Sequence, residues 1–249
     1  MTDLHMHTTF CDGANTPREM AEAAAALGLE KIGFSGHSYT FFDERYCMSR
    51  AGTERYRAAV AALKEAYRGR MEVLLGVEQE YWSAAPTEGY DYVIGSVHFL
   101  RFGDVYEPLD DDEQTLRRIA AERFGGDWYA LAEAYFALAG DVVRRTGADI
   151  IGHFDLITKY NEGGKLFDES HPRYVAAWRR AVDALLPYGR PFEINTGAMA
   201  RCCRTEPYPA KPIRDYIRAH GGRFILSSDS HSTETLCYRF EEFADEIDG

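Results

Sequence analysis

Seven short β-prone runs, most of them separated by helix-like segments, predict an α/β fold in which a parallel sheet closes into a distorted seven-stranded (β/α) barrel. Three observations carry that expectation. They are the strand-then-helix alternation, a length of 249 residues that suits one barrel domain, and histidines and carboxylates that recur where strands end. Seven strand–helix units in a chain of this length favour a closed barrel over an open doubly wound sheet.

The first strand is expected at Asp3 to Met6. Thr16-Pro17-Arg18-Glu19 then has the form of a capping box with proline at the first helical position, and an alanine-rich helix follows to Gly28. Further strands are expected at Lys31 to Ser35, Glu72 to Val77, Tyr92 to Val97, Asp149 to Gly152, Pro191 to Ile194 and Arg223 to Leu226. Helices are expected at Thr53 to Arg68, Asp127 to Thr146, Pro172 to Leu186 and Lys211 to His220, several closed by glycine. No repeat, low-complexity tract or Pro/Ser-rich linker interrupts the chain, so residues 1–249 read as one domain.

Composition narrows the function classes. No apolar run approaches the ~18 residues of a membrane span, and the start, Met1-Thr-Asp-Leu-His, is neither basic nor apolar, so no signal peptide or membrane partner is expected. Five cysteines, odd in number and without CxxC spacing, read as reduced cytoplasmic thiols. A formal net charge of −12 opposes binding of long nucleic acid, which depends on Lys and Arg displacing counterions. A small anionic substrate can still bind where metal cations reverse the local field.

The chemistry lies in where the histidines fall. His5 and His7 close the first strand, and their spacing of two puts both imidazoles on one face. His37 follows the second strand, Glu78 ends the third, His98 follows the fourth, His153 the fifth, and Asp229 with His231 the seventh. A parallel barrel gathers the C-terminal ends of its strands around one mouth, so these distant residues should meet. Singly, each has a structural reading: a hydrogen-bonded core histidine, a paired carboxylate or a loop residue. Jointly they point to a metal centre. Imidazole and carboxylate without thiolate suit Zn, Mn or Fe, and so many donors exceed the needs of one tetrahedral ion, implying two or three divalent ions. Ions so clustered suit phosphoester hydrolysis.

The motifs Asp3-Leu-His-Met-His-Thr-Thr-Phe-Cys-Asp12-Gly, Ser-Gly-His37, Gly-Val-Glu78, Gly-Ser-Val-His98, Gly-His153-Phe-Asp and Ser-Asp229-Ser-His231 resemble the polymerase-and-histidinol-phosphatase (PHP) superfamily and recur in family order. The resemblance implies a TIM-barrel-like fold with a trinuclear site. It would place His5, His7, Glu78 and Asp229 on a first metal, with Glu78 bridging to a second held by His98 and His153, and Asp12, His37 and His231 on a third. Glu78, Asp229 and His231 would then carry the catalytic chemistry. The sequence departs from the family in two places: Ser35-Gly36-His37 stands where Thr-Asp-His is usual, and Asp12 where histidine is frequent.

Within that superfamily the chain looks most like stand-alone histidinol-phosphatases, which hydrolyse L-histidinol phosphate in histidine biosynthesis. Arg201 and Lys159 resemble that family's cationic phosphate contacts; their other reading is solvated surface charge. The aromatic segment containing Tyr39, Phe41 and Phe42 reads either as a cover over the organic part of the substrate or as packing of the loop onto the barrel. Two competing functions remain: a PHP phosphoesterase acting on nucleotides or oligonucleotide ends, and a non-catalytic metal-binding regulatory module.

Overall fold

The computed structural model describes residues 1–247. Seven parallel strands run β1 (Thr2–Asp3), β2 (Lys31–Phe34), β3 (Glu72–Glu80), β4 (Tyr92–Ser96), β7 (Ile150–Ile151), β8 (Phe192–Asn195) and β9 (Phe224–Ser227), each hydrogen-bonded to the next in that order. Between β4 and β7 an antiparallel hairpin, β5 (Phe99–Phe102) with β6 (Val105–Pro108), stands apart from the sheet. The remaining seam lies between β1 and β9, and it is bridged just past the strands. His7 N donates to Ser230 O at 2.8 Å and Ser230 N donates to His5 O at 3.2 Å. The barrel is therefore nearly closed, and the seam is stitched at the level of the histidines.

All seven expected strands are present. β1 is shorter than expected because the chain leaves regular pairing at Leu4, and β3 continues through Glu80, carrying two more side chains past Glu78. The capping box of α1 (Pro17–Ala26) forms as read: Thr16 Oγ1 accepts from Glu19 N, and Glu19 Oε2 accepts from Thr16 N at 2.7 Å. α2 (Arg50–Ala66) begins earlier than expected, because Ser49 caps it by accepting from Gly52 N. α3 (Glu113–Phe124) was not anticipated. Its buried stripe is only Leu116, Ile119 and Ala120, too thin to stand out against its polar residues.

The single helix expected over Asp127 to Thr146 is two, α4 (Trp128–Ala139) and α5 (Val142–Thr146). They part at Gly140, where a Cβ would lie 2.9 Å from Ala181 Cα, and at Asp141, which accepts from Tyr81 Oη. α6 (Pro172–Leu185) packs on α4, and α7 (Gly197–Ala200) and α8 (Lys211–Ala219) complete the set.

Side chains of β3 alternate, as a strand requires. Val73, Leu75 and Val77 face outward into a core with Met20 of α1 and Tyr56 and Val60 of α2. Leu74 instead joins a small inner cluster of Tyr92, Ile94 and Ile150, with Leu4 and Ile225, that fills the barrel. Tyr92 dominates this interior. Its ring lies over Gly76 and Gly33, where added Cβ atoms would fall 2.2 and 2.3 Å from Tyr92, and its hydroxyl donates to Leu4 O at 2.5 Å. The inner plug thus ties β1 across to β4, beneath the mouth.

Gly76→Ala should overpack this plug and lower stability by about 1–3 kcal/mol, read as a lower urea midpoint with unchanged slope. A midpoint equal to the parent's would mean that Tyr92 moves aside freely.

Candidate metal centre

Five strands of the barrel deliver their chemistry just beyond their last residue, and β3 and β8 from within. His5 and His7 follow β1, His37 follows β2, Glu78 and Glu80 sit at the end of β3, His98 follows β4, His153 follows β7, Glu193 lies in β8, and Asp229 and His231 follow β9. His5, His7, His153, Glu78, Glu80 and Glu193 are all buried.

Glu78 lies at the middle. One oxygen, Oε2, is 3.4 Å from His5 Nε2 and 3.6 Å from His7 Nε2, while Asp229 Oδ1 lies 3.6 and 3.2 Å from the same two nitrogens. The other oxygen, Oε1, is 3.3 Å from His98 Nε2 and 2.8 Å from His153 Nε2. A third group forms at the rim, where Asp12 Oδ2 is 3.6 Å from His37 Nε2 and 3.3 Å from His231 Nε2. His37 also reaches Glu78 Oε2 through Nδ1 at 2.8 Å. Three sets of ligand atoms are close enough to share an ion: His5, His7 and Asp229; His37, Glu78 and His98; and His7, Asp12, His37 and His231. The nine expected ligand residues are therefore brought to one place.

The donor atoms fit a divalent cation. His5 Nε2 and His7 Nε2 are fully buried and have no hydrogen-bond partner, and Glu78 Oε2, equally buried, is approached only by His37 Nδ1 at 2.8 Å among the close contacts outside the two histidines. Unpaired buried polar atoms are costly. The two histidine nitrogens lie 3.2–3.6 Å from Glu78 Oε2 and Asp229 Oδ1, at or beyond the upper end of hydrogen-bond distances. These separations match the edge of a coordination tetrahedron, about 3.3 Å for bonds of about 2.0–2.1 Å.

Two carboxylates that the sequence reading passed over fix the imidazoles. His5 Nδ1 lies 2.7 Å from Glu193 Oε1, and His98 Nδ1 lies 3.0 Å from Glu80 Oε2. An ionised carboxylate can only accept, so each Nδ1 carries a proton, and a cation that displaced the proton on Nε2 would meet its lone pair there. Glu193 Oε2 also accepts from His153 N at 3.0 Å. A signal existed for both residues: Glu80 follows Glu78 by the strand period of two, and Glu193 lies in an expected strand.

Electrostatics follow from the crowding. Burial alone would neutralise Glu78, yet His37, His5 and His98 hold its carboxyl well below the usual range. Burial and the neighbouring His231 and His37 push His7 down to about 3, leaving it neutral and able to bind a cation.

A cavity of about 370 Å³ opens onto this cluster. Arg201 and Lys159 line it. Arg201 donates to Asp229 Oδ2 at 2.9 Å, and Lys159 Nζ donates to Asp110 O at 2.7 Å. Asp43, Asp110 and Asp111 form its acidic wall with Arg45 among them, and Tyr46 and Phe99 supply its aromatic surface. Tyr39, Phe41 and Phe42 do not line it, contrary to the reading that placed them over the substrate. Phe42 stacks on Tyr106 at 3.9 Å, and Tyr39 and Phe41 face a different cavity. The loop's aromatics pack against the hairpin and outward, a partition that period-free loop sequence could not disclose.

A nearly closed parallel barrel with a histidine-and-carboxylate centre at its C-terminal mouth is a metal-binding α/β barrel of the hydrolase type. The PHP domain model matches residues 3–197, and the chain belongs to that family. It is 30% identical over 260 residues to the "probable histidinol-phosphatase" of Deinococcus radiodurans, covering 99% of this chain and 92% of that one. The histidinol-phosphatase of Bacillus subtilis is 28% identical over 265 residues, with 97% of each chain covered. Among solved structures, the Lactococcus lactis histidinol phosphate phosphatase, complexed with Zn, L-histidinol and phosphate, superimposes with a TM-score of 0.71 at 21% identity, covering 98% of this chain and 93% of that one. The hisK protein of Listeria monocytogenes gives a TM-score of 0.84 at 19% identity over 98% of this chain and 100% of that one.

Glu193→Gln should weaken metal binding by about 10–100-fold without unfolding the chain, because the amide no longer fixes the His5 tautomer. Chelator competition measures this; unchanged metal affinity would remove Glu193 from the centre.

Proposed function

We propose that this chain is a histidinol-phosphatase, a metal-dependent phosphomonoesterase that converts L-histidinol phosphate and water to L-histidinol and phosphate. The observation that carries the reading is the set of buried ligand atoms on His5, His7 and Glu78 next to a cavity that Glu78, His98, His153 and Asp229 line together with Arg201 and Lys159. The family and its histidinol-phosphatase relatives support it. The proposal takes residues 1–249 as one PHP domain acting in the cytoplasm, in keeping with five free thiols.

The assignment uses two or three divalent ions of Zn, Mn or Fe. His5, His7, Glu78 and Asp229 would hold one, Glu78, His98 and His153 a second, and Asp12, His37 and His231 a third. Bound there, the ions would acidify a water molecule and neutralise phosphate charge. The protein's own groups do the rest. Glu193 and Glu80 keep the imidazoles aimed. Arg201 contributes a guanidinium to the phosphate oxygens from its place beside Asp229, and Lys159 adds a second cation at the rim. Asp229, with His231 beside it, would accept the proton that the attacking water loses, and a proton returned from this pair to the departing L-histidinol oxygen balances the hydrolysis.

Substrate choice follows from charge. A phosphomonoester with a cationic amine places its phosphate against the metal end and its ammonium against Asp110 and Asp111, whereas a nucleotide brings no such cation. Active protein should therefore carry two or three transition-metal ions and lose hydrolysis on chelation; an active preparation with less than one ion per chain would sink the assignment. The specificity constant for L-histidinol phosphate should exceed that for AMP by at least about tenfold, or about 1.4 kcal/mol. Asp111→Asn should raise KM for L-histidinol phosphate more than for p-nitrophenyl phosphate. Preference for AMP would keep the metal phosphatase and discard the histidinol one.

A further inference from the structure

On the outer side of β3, behind the metal ligands, lies a second cavity of about 420 Å³. Its location follows from strand alternation: Glu78 and Glu80 turn inward to the centre, while Val77 and Gln79 turn outward and line this space. The facing wall is one stripe of α2, where Arg50, Thr53, Glu54 and Arg57 recur at intervals of three and four residues. Tyr39, Phe41 and Tyr90 close the sides.

The polar groups here are arranged for a ligand. Gln79 is 3% exposed, its Nε2 donates to Ala85 O at 3.1 Å, and that bond fixes its Oε1 as a buried acceptor with no partner. Along α2 the charges run positive, negative, positive through Arg50, Glu54 and Arg57. Each arginine lies over an aromatic face, Arg50 5.0 Å from the Tyr39 centroid and Arg57 4.0 Å from that of Tyr90. Phe41, 62% exposed, offers an apolar ring at the rim. A ligand that meets these groups carries a carboxylate for the guanidinium groups, an ammonium for Glu54, and a flat apolar body for the rings.

We propose that this cavity is a second small-molecule site, which binds a free aromatic α-amino acid by its zwitterionic head and its ring. The site is separate from the metal cavity but shares a wall with it. The loop that gives Tyr39 and Phe41 to one gives Asp43, Arg45 and Tyr46 to the other.

Calorimetric titration of the metal-loaded full-length protein tests the site, with L-phenylalanine and L-tryptophan as probes. Saturable binding is expected, weakened at least about tenfold for phenethylamine, which lacks the carboxylate, for 3-phenylpropionate, which lacks the amine, and for L-leucine, which lacks the ring. Arg57→Ala and Arg50→Ala should each weaken L-phenylalanine binding by at least about fivefold. Both variants should hydrolyse phosphomonoester at the parent rate without amino acid, which shows that they are folded. Inorganic phosphate, a ligand for the metal cavity, should leave the affinity for L-phenylalanine within about threefold and should not displace it. Absence of saturable binding, displacement by phosphate, equal binding of leucine, or unaltered affinity in both arginine variants would overturn the proposal.

Discussion

A carboxylate with 1% of its side chain exposed stands among five imidazoles: Glu78, with His5, His7 and His37 around one oxygen and His98 and His153 around the other. An ionised carboxylate this deep is tolerable only when positive charge compensates it. The imidazoles share that charge unevenly: against the pull of burial, neighbouring carboxylates raise His5 and His37 well above the ordinary imidazole value and His98 to about 10, whereas burial with His231 and His37 pushes His7 down to about 3. Divalent cations held by the same residues would compensate Glu78 in place of those protons, and neutral rings are the form that binds metal.

The barrel makes this concentration of ligands possible. Parallel strands all point their C-terminal ends to one mouth, so every strand of the seven places at least one ligand or supporting carboxylate there. The seam between β1 and β9 is fastened through His5, His7 and Ser230, so closure of the barrel and placement of the first histidine pair are the same event. Below, Tyr92 fills the interior over Gly33 and Gly76 and leaves the mouth as the open end.

Charge within the cavity is paired as well as concentrated. Arg201 sits on Asp229 beside the ligand cluster, while toward the rim Lys159 pairs with Asp110 and Arg45 with Asp43, 3.7 Å from Asp111. A molecule that carries both a phosphate and an ammonium can meet both members of such pairs. Strand β3 and the loop after His37 each have two working faces, one on this cavity and one on the space in front of α2.

The sequence by itself determined the seven barrel strands, most helices and the positions of the nine candidate ligands, but not the hairpin of β5 and β6. Periodicity and caps are local properties, and ligand residues repeated at strand ends are visible in one dimension. Thr16 and Glu19 announce α1 for that reason. Tertiary structure alone decided the rest. The break at Gly140 depends on the approach of Ala181, the orienting roles of Glu80 and Glu193 depend on which imidazole each one meets, and the fate of Tyr39, Phe41 and Phe42 depends on Tyr106 in a hairpin far along the chain. Which side of a loop an aromatic ring faces is set by long-range packing, and no local pattern encodes that choice.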